Sequence, residues 1–149
     1  MLAAGERLCA YAFNAYWKDV GTIASLWEAN MDLLDPGVRA ALFPSRRPIY
    51  TKVRDCAPAV YGLHATVKDS LVADGSKIEG SITRSIIFRD VQIERDAVLE
   101  NCIVMQGSVI CKNSRLGAVI MDKDVVVKEG RTLTGFESYP VFVSKGSVV

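Results

Sequence analysis

One histidine, His64, stands among 149 residues. That scarcity removes the histidine clusters that bind transition metals, and it leaves no Ser-His-Asp or Cys-His constellation with any specificity. Cysteine is sparse too. Cys9, Cys56, Cys102 and Cys111 are separated by 47, 46 and 9 residues, which matches no CxxC or zinc-ligand spacing. They read as reduced, structural thiols of a cytoplasmic protein. The 11 glycines are scattered; neither GxGxxG nor GxxxxGK followed by Ser or Thr occurs, so no phosphate-cradling loop is visible. An excess of either charge is also lacking. Lys+Arg number 18 against 17 Asp+Glu, a formal net charge of +1, which argues against a surface dedicated to nucleic acid or to anionic membrane. No apolar run approaches the roughly 18 residues of a spanning helix. The opening MLAAGERLCAYAF is interrupted at Glu6 and Arg7, unlike the basic-then-apolar layout of a signal peptide. What remains is the composition of an ordinary globular chain, long enough for one domain or a small domain plus part of another.

The strongest positive signal is a repeat. With the chain stacked at a period of 17, one column reads Ile82, Leu99, Leu116, Leu133. Further columns read Ile86, Ile103, Ile120, then Ile87, Val104, Met121, then Ile93, Ile110, Val127. Two columns carry turn formers: Asp90, Gly107, Asp124 and Asp96, Asn113, Gly130. A preceding coil, two residues short, places Val67, Leu71, Val72, Gly75 and Ile78 at the same offsets. So short a period cannot hold a helical hairpin. Short Ile- and Val-rich pieces split by turns suit stacked parallel strands, a mainly β fold in which each coil pairs with the next at about 4.8 Å. Four to five coils make a prism on the order of 20 Å tall. The aliphatic columns are expected to point inward, Ile103 and Ile120 among them. The alternative, a sandwich of antiparallel strands, has no reason to keep turn types in register at this interval.

Ahead of the repeat the local rules differ. Residues 7–17 read as a strand dense in aromatics (Tyr11, Phe13, Tyr16, Trp17). Thr22 is a plausible N-cap. Ile23, Leu26, Trp27, Asn30, Met31 and Leu34 then fall on one helical face, and Asp35-Pro36-Gly37 is expected to stop the helix. Residues 43–58 read as a linker, with Pro44, Pro48 and Pro58 bracketing an extended piece at Ile49–Lys52. Arg46, Arg47, Lys52 and Arg54 cluster there. They could meet an anion such as a sugar phosphate, although a solvated linker accounts for them more simply. In Tyr16-Trp17-Lys18-Asp19-Val20-Gly21-Thr22, a carboxylate beside a glycine turn and a helix start is placed to meet a hard cation such as Mg²⁺, and the helix amides to meet a phosphate. On residue types alone an Asp in a capped turn is the plainer reading.

YWKDVGTIASLWEANMDLL, followed by a proline-rich linker and hexapeptide-like coils, resembles the C-terminal part of bacterial ADP-glucose pyrophosphorylases, the glucose-1-phosphate adenylyltransferases of glycogen biosynthesis. PIYTKVRD, VKDSLVADGSKIEGSI, RSIIFRDVQI, NCIVMQGSVI and the closing KGSVV look most like the regulatory, D-type subunit. The resemblance implies a left-handed β-helix over 59–149, where the general rule for parallel crossovers gives right-handed. It implies that 1–42 is the tail of a nucleotidyltransferase catalytic domain, a short α/β remnant. Asp19 matches an aspartate that holds catalytic Mg²⁺, with Trp17, Gly21 and Thr22 as scaffold of the motif. The implied partners are ATP and glucose 1-phosphate in a longer parent, and a catalytic subunit or a second copy in a tetramer, with neither nucleic acid nor membrane. The piece alone is expected to be inactive. Two other readings stay open. A stand-alone hexapeptide acyltransferase needs a histidine inside a coil and often a protruding loop; His64 lies at the entry to the coils, and no protruding loop is expected. A pure assembly module needs only the stacked coils.

Overall fold

The 17-residue columns become hydrogen-bonded ladders. The computed structural model describes residues 4–5, 7 and 9–149. Short strands of two or three residues pair in parallel with strands one coil away and form three five-stranded sheets. The first sheet stacks Val60–Tyr61, Lys77–Ile78, Gln92–Ile93, Val109–Ile110 and Val126–Val127. The second stacks Thr66–Lys68, Ser81–Thr83, Val98–Glu100, Arg115–Gly117 and Thr132–Thr134. The third stacks Leu71–Val72, Ile86–Ile87, Ile103–Val104, Val119–Met121 and Val141–Val143. This is a parallel β-solenoid. Val67, Ile82, Leu99, Leu116 and Leu133 are direct partners in one ladder, which excludes the antiparallel sandwich.

Left-handed corners separate the three sides. Gly75, Asp90, Gly107 and Asp124 form one corner column at φ between 58° and 78°, and Asp96, Asn113 and Gly130 another at φ between 60° and 71°. A third corner column is not signalled by residue type: Asp69, Arg84, Asn101 and Ala118 sit at φ between 47° and 54°. In the first of these columns glycine and aspartate alternate for a steric reason. A Cβ on Gly107 would come within 2.5 Å of the Asp124 carboxylate, and one on Gly75 would strike that of Asp90. The first coil saves its two residues at Gly80, where a Cβ would run into the carbonyl oxygens of Glu94 and Ala97. Beside the third corner, side chains bridge the coils. Ser70 Oγ accepts from the Ser85 amide at 3.0 Å, and Ser85 Oγ from the Cys102 amide at 3.0 Å. The Cys102 thiol takes the next place, against the Val119 amide.

Alternation across the strands divides the aliphatic columns between two cores. Ile87, Val104 and Met121 pack inside the solenoid. Ile103 and Ile120 are fully buried, yet not inside it as expected. They point out from the third sheet, where Trp27 and Met31 cover them, flanked by Leu34, Phe88 and Met105. Neighbouring strand residues must face opposite ways, so only one of the two adjacent columns can line the interior.

The cover is a helix, α1 (Ile23–Met31), with Thr22 as its N-cap. A 3-10 turn follows (Asp32–Leu34), and then a second helix, α2 (Pro36–Leu42), where the chain was expected to stop being helical. Proline at the first helical position lacks only an amide that needs no partner, and the Asp35 carboxylate caps Gly37 and Val38. Asp35-Pro36 therefore ends one helix by starting another. The strand expected at 7–17 is absent among the described residues, where the backbone of 9–17 makes no backbone–backbone hydrogen bond to a neighbouring strand; Leu8 lies outside the described residues. Residues 43–59 carry neither helix nor strand. In the last coil the third-sheet partners Ile120 and Phe142 are 22 residues apart rather than 17, so a five-residue excursion protrudes there, turning at Phe136 and Tyr139. The expectation of no protruding loop is corrected by it: the period breaks after Leu133.

Two outcomes follow from these cores. Ile103→Ala leaves a cavity between sheet and helix and is expected to cost about 2–5 kcal/mol by chemical denaturation; an unchanged midpoint would contradict the register. Burial pushes the Cys102 thiol up from its ordinary 9.0 to about 12. The unfolded chain therefore loses this proton first, and the contribution present below pH 9 fades as pH rises toward 12. Between pH 8 and 10.5 the protein should lose about 2 kcal/mol more stability than its Cys102→Ser variant.

Candidate functional site

The segment leading into α1 lies extended, and its side chains alternate. Tyr16 and Lys18 turn toward the helix and are half-buried, while Trp17 (75% exposed) and Asp19 face outward. The inward pair meets an acidic patch. Tyr16 Oη donates to Asp32 Oδ2 at 2.9 Å, Lys18 Nζ donates to the same oxygen at 2.8 Å, and Glu28 Oε2 lies 3.3 Å from Lys18 Nζ. The hydrogen bond from Lys18 holds the Asp32 carboxyl below its usual range, and the same bond raises Lys18. Burial, helped by Asp32, raises the Tyr16 phenol. At the other end the Ser25 amide donates to Thr22 Oγ1 at 3.0 Å and the Thr22 amide to Ser25 Oγ at 2.9 Å, a reciprocal capping box. Gly21 lies between the two anchors. The helix is in turn bolted to the solenoid, because Trp27 Nε1 donates to the Asn101 carbonyl at 2.9 Å. Asn101 is one of the left-handed corners.

Trp17, Asp19 and Gly21 lie on the exposed segment that runs into α1, and Thr22 caps the helix. The structure does not build a Mg²⁺ site around them. Asp19 contributes a single exposed carboxylate, and no group of three potential metal ligands occurs among the described residues. A hard divalent cation takes about six oxygen ligands, and one carboxylate in water does not hold it.

The four linker cations separate. Lys52 and Arg54 line a cleft of about 440 Å³ with Thr51, Ala73, Phe88, Arg89 and Gln106; Arg46 and Arg47 do not take part. Arg89 was missed, because a cation beside a solenoid corner carries no periodic signal. His64 is exposed on a turn near Glu79 and Arg95. The five-residue excursion was missed as well. Its Tyr139 and Pro140, followed by Phe142, form an apolar groove of about 690 Å³ against Thr22, Ile23 and Ala24. All four cysteines are free. No helix among the described residues is long and apolar enough to cross a membrane.

Two family models match separate parts of the chain. The model of the GlmU-like, C-terminal hexapeptide family matches residues 58–138, more than half the chain. The chain belongs to that family. The Nucleotidyl transferase model matches residues 1–36, the segment that holds Trp17, Asp19 and α1. Proteins named glucose-1-phosphate adenylyltransferase from Bacillus mycoides, Bacillus cereus and Bacillus thuringiensis are each 37% identical over 130 residues. The match covers 87% of this chain and 35% of theirs. The chain therefore spans about a third of the length of these curated relatives.

The capping box supplies the check for this site. Thr22→Ala removes one half of the reciprocal pair and is expected to cost about 1 kcal/mol, read as a lowered denaturation midpoint.

Proposed function

We propose that this chain is the C-terminal portion of a glucose-1-phosphate adenylyltransferase, and of its regulatory, D-type subunit. The observation that carries the reading is the outward presentation of Trp17 and Asp19 on a segment that matches the Nucleotidyl transferase model. In the whole protein an oxygen of glucose 1-phosphate attacks the α-phosphorus of ATP, pyrophosphate leaves, and ADP-glucose forms. Positioning and charge neutralisation dominate such transfers. Asp19 offers one carboxylate to a divalent cation, and the further ligands and the nucleotide-binding loop belong to the part of the enzyme outside this chain. The solenoid serves assembly, with a catalytic subunit or a second copy as partner in a tetramer. It also serves effector control, and the Lys52–Arg54–Arg89 cleft has the charge to receive an anionic effector. The D-type assignment rests on the segments that resemble that subunit.

A pure assembly module is the second reading, favoured by the apolar groove between α1 and the excursion. The acyltransferase reading has less support: the excursion supplies a loop, but the histidine is exposed at the solenoid's entry rather than inside a coil.

Pyrophosphate release from ATP and glucose 1-phosphate separates these. The chain alone should show no turnover. Joined behind the nucleotidyltransferase segment of the Bacillus cereus relative it should turn over, and Asp19→Asn in that fusion should lower the rate at least about 100-fold. Turnover by the isolated chain, or a fusion indifferent to Asp19, would refute the proposal.

A further inference from the structure

The segment that carries Trp17 and Asp19 is extended without belonging to a sheet. Among the described residues the backbone of 9–21 makes no backbone–backbone hydrogen bond. Its position is therefore set by side chains at two places. One is the Thr22–Ser25 box at the start of α1. The other is at the far end of the helix, where a single oxygen, Asp32 Oδ2, accepts from both Tyr16 and Lys18. Asp32 has a firm base for this. It is the C-cap of α1, and its own amide donates to the Glu28 and Asn30 carbonyls. Glu28, one helical turn earlier, meets Lys18 from the side.

We propose that Asp32 is a positioning residue: by taking both donors on one carboxylate oxygen it clamps the extended segment along α1 and presents Trp17 and Asp19 together on the open face. The inference rests on the reading of those two residues as the functional face. The physical logic is alternation. With Tyr16 and Lys18 tied inward, Trp17 and Asp19 have only the outward direction left. Without the tie the segment has one anchor at Thr22, and the directions of residues 16–19 become independent of the helix. A surface ion pair alone would be a weak tether. Here a phenol, an ammonium and a second carboxylate converge on a capped helix end.

The test uses the 149-residue chain itself and needs no catalysis. Backbone order parameters of Trp17, Lys18 and Asp19 are measured by ¹⁵N relaxation in the unsubstituted chain and in Asp32→Asn, and trypsin cleavage at the Lys18–Asp19 bond is followed in parallel. The unsubstituted chain should give values near 0.85 and the variant values below about 0.6, with cleavage accelerated at least about tenfold. The indole N–H signal of Trp27 should not move, because the dock to Asn101 is untouched. Tyr16→Phe combined with Lys18→Met, read by order parameters alone, should reproduce the loss. Unchanged order parameters in Asp32→Asn overturn the proposal. So does a shift of the Trp27 signal, which would place Asp32 in the docking of the helix. A loss seen with Asp32→Asn but not with the double variant overturns it too, since the effect would then lie in the helix cap. The transferase reading is decided separately by the fusion assay, so either can fail without the other.

Discussion

A 17-residue coil closes only if the backbone changes direction at left-handed corners, and the rest of the molecule depends on those corners staying in register. Non-glycine residues in that region are strained by about 1–3 kcal/mol each, and Asp69, Arg84, Asp90, Asp96, Asn101, Asn113, Ala118 and Asp124 all occupy it. Each fully buried aliphatic side chain contributes about 1.5–3 kcal/mol, and Ile78, Ile82, Ile87, Ile93, Leu99, Ile103, Ile110 and Ile120 are all essentially inaccessible. The two terms are of like size, so a corner persists only where the ladders on either side of it are complete. A slip of one residue would turn every column to its opposite face. Glycine alternating with aspartate, and the Ser70–Ser85–Cys102 bridges between coils, oppose such a slip by tying corner to corner along the stack.

The third sheet is apolar on both faces, and this joins the amino-terminal part to the solenoid. A sheet with one apolar face needs nothing on its other side. This one places Ile103 and Ile120 outward, and α1 must cover them. The helix cannot slide freely, because the Trp27 indole is hydrogen-bonded to the carbonyl of a corner residue. The orientation of the motif segment is thus inherited in steps: corners set the ladder, the ladder sets α1, and α1 sets residues 16–22. Whatever strains the stack at Asn101 is mechanically linked to the face that carries Asp19.

Much of this is legible in the residues alone. The ladders from Val67 to Leu133 and two of the three corner columns are explicit there, because buried columns and glycine or aspartate corners leave a compositional mark. The third corner escapes, since Arg84 and Ala118 are not turn formers; they take the conformation because their neighbours in the stack impose it. The direction of Ile103 escapes because an outward column under a helix is as aliphatic as an inward one. Helix α2 is hidden by a proline that both ends and starts helices. At the motif, the cap at Thr22 is legible from its type, but the clamp is not: Tyr16, Lys18, Glu28 and Asp32 converge only once the extended segment and the helix lie side by side.

The spacing of the motif can now be read as geometry. Trp17, Asp19 and Gly21 recur at every second residue, the period of an extended chain. Tyr16, just ahead of the motif, and Lys18, its first x, look free to vary when the motif is read as W-x-D-x-G-T, yet they are the residues that hold it. Their constraint is of a different kind. An outward residue is constrained by what it must touch, hence by its own chemistry. An inward one is constrained by a partner elsewhere in the chain, so a change in it is tolerable only when Asp32 changes with it. The motif therefore extends, physically, to the far end of α1.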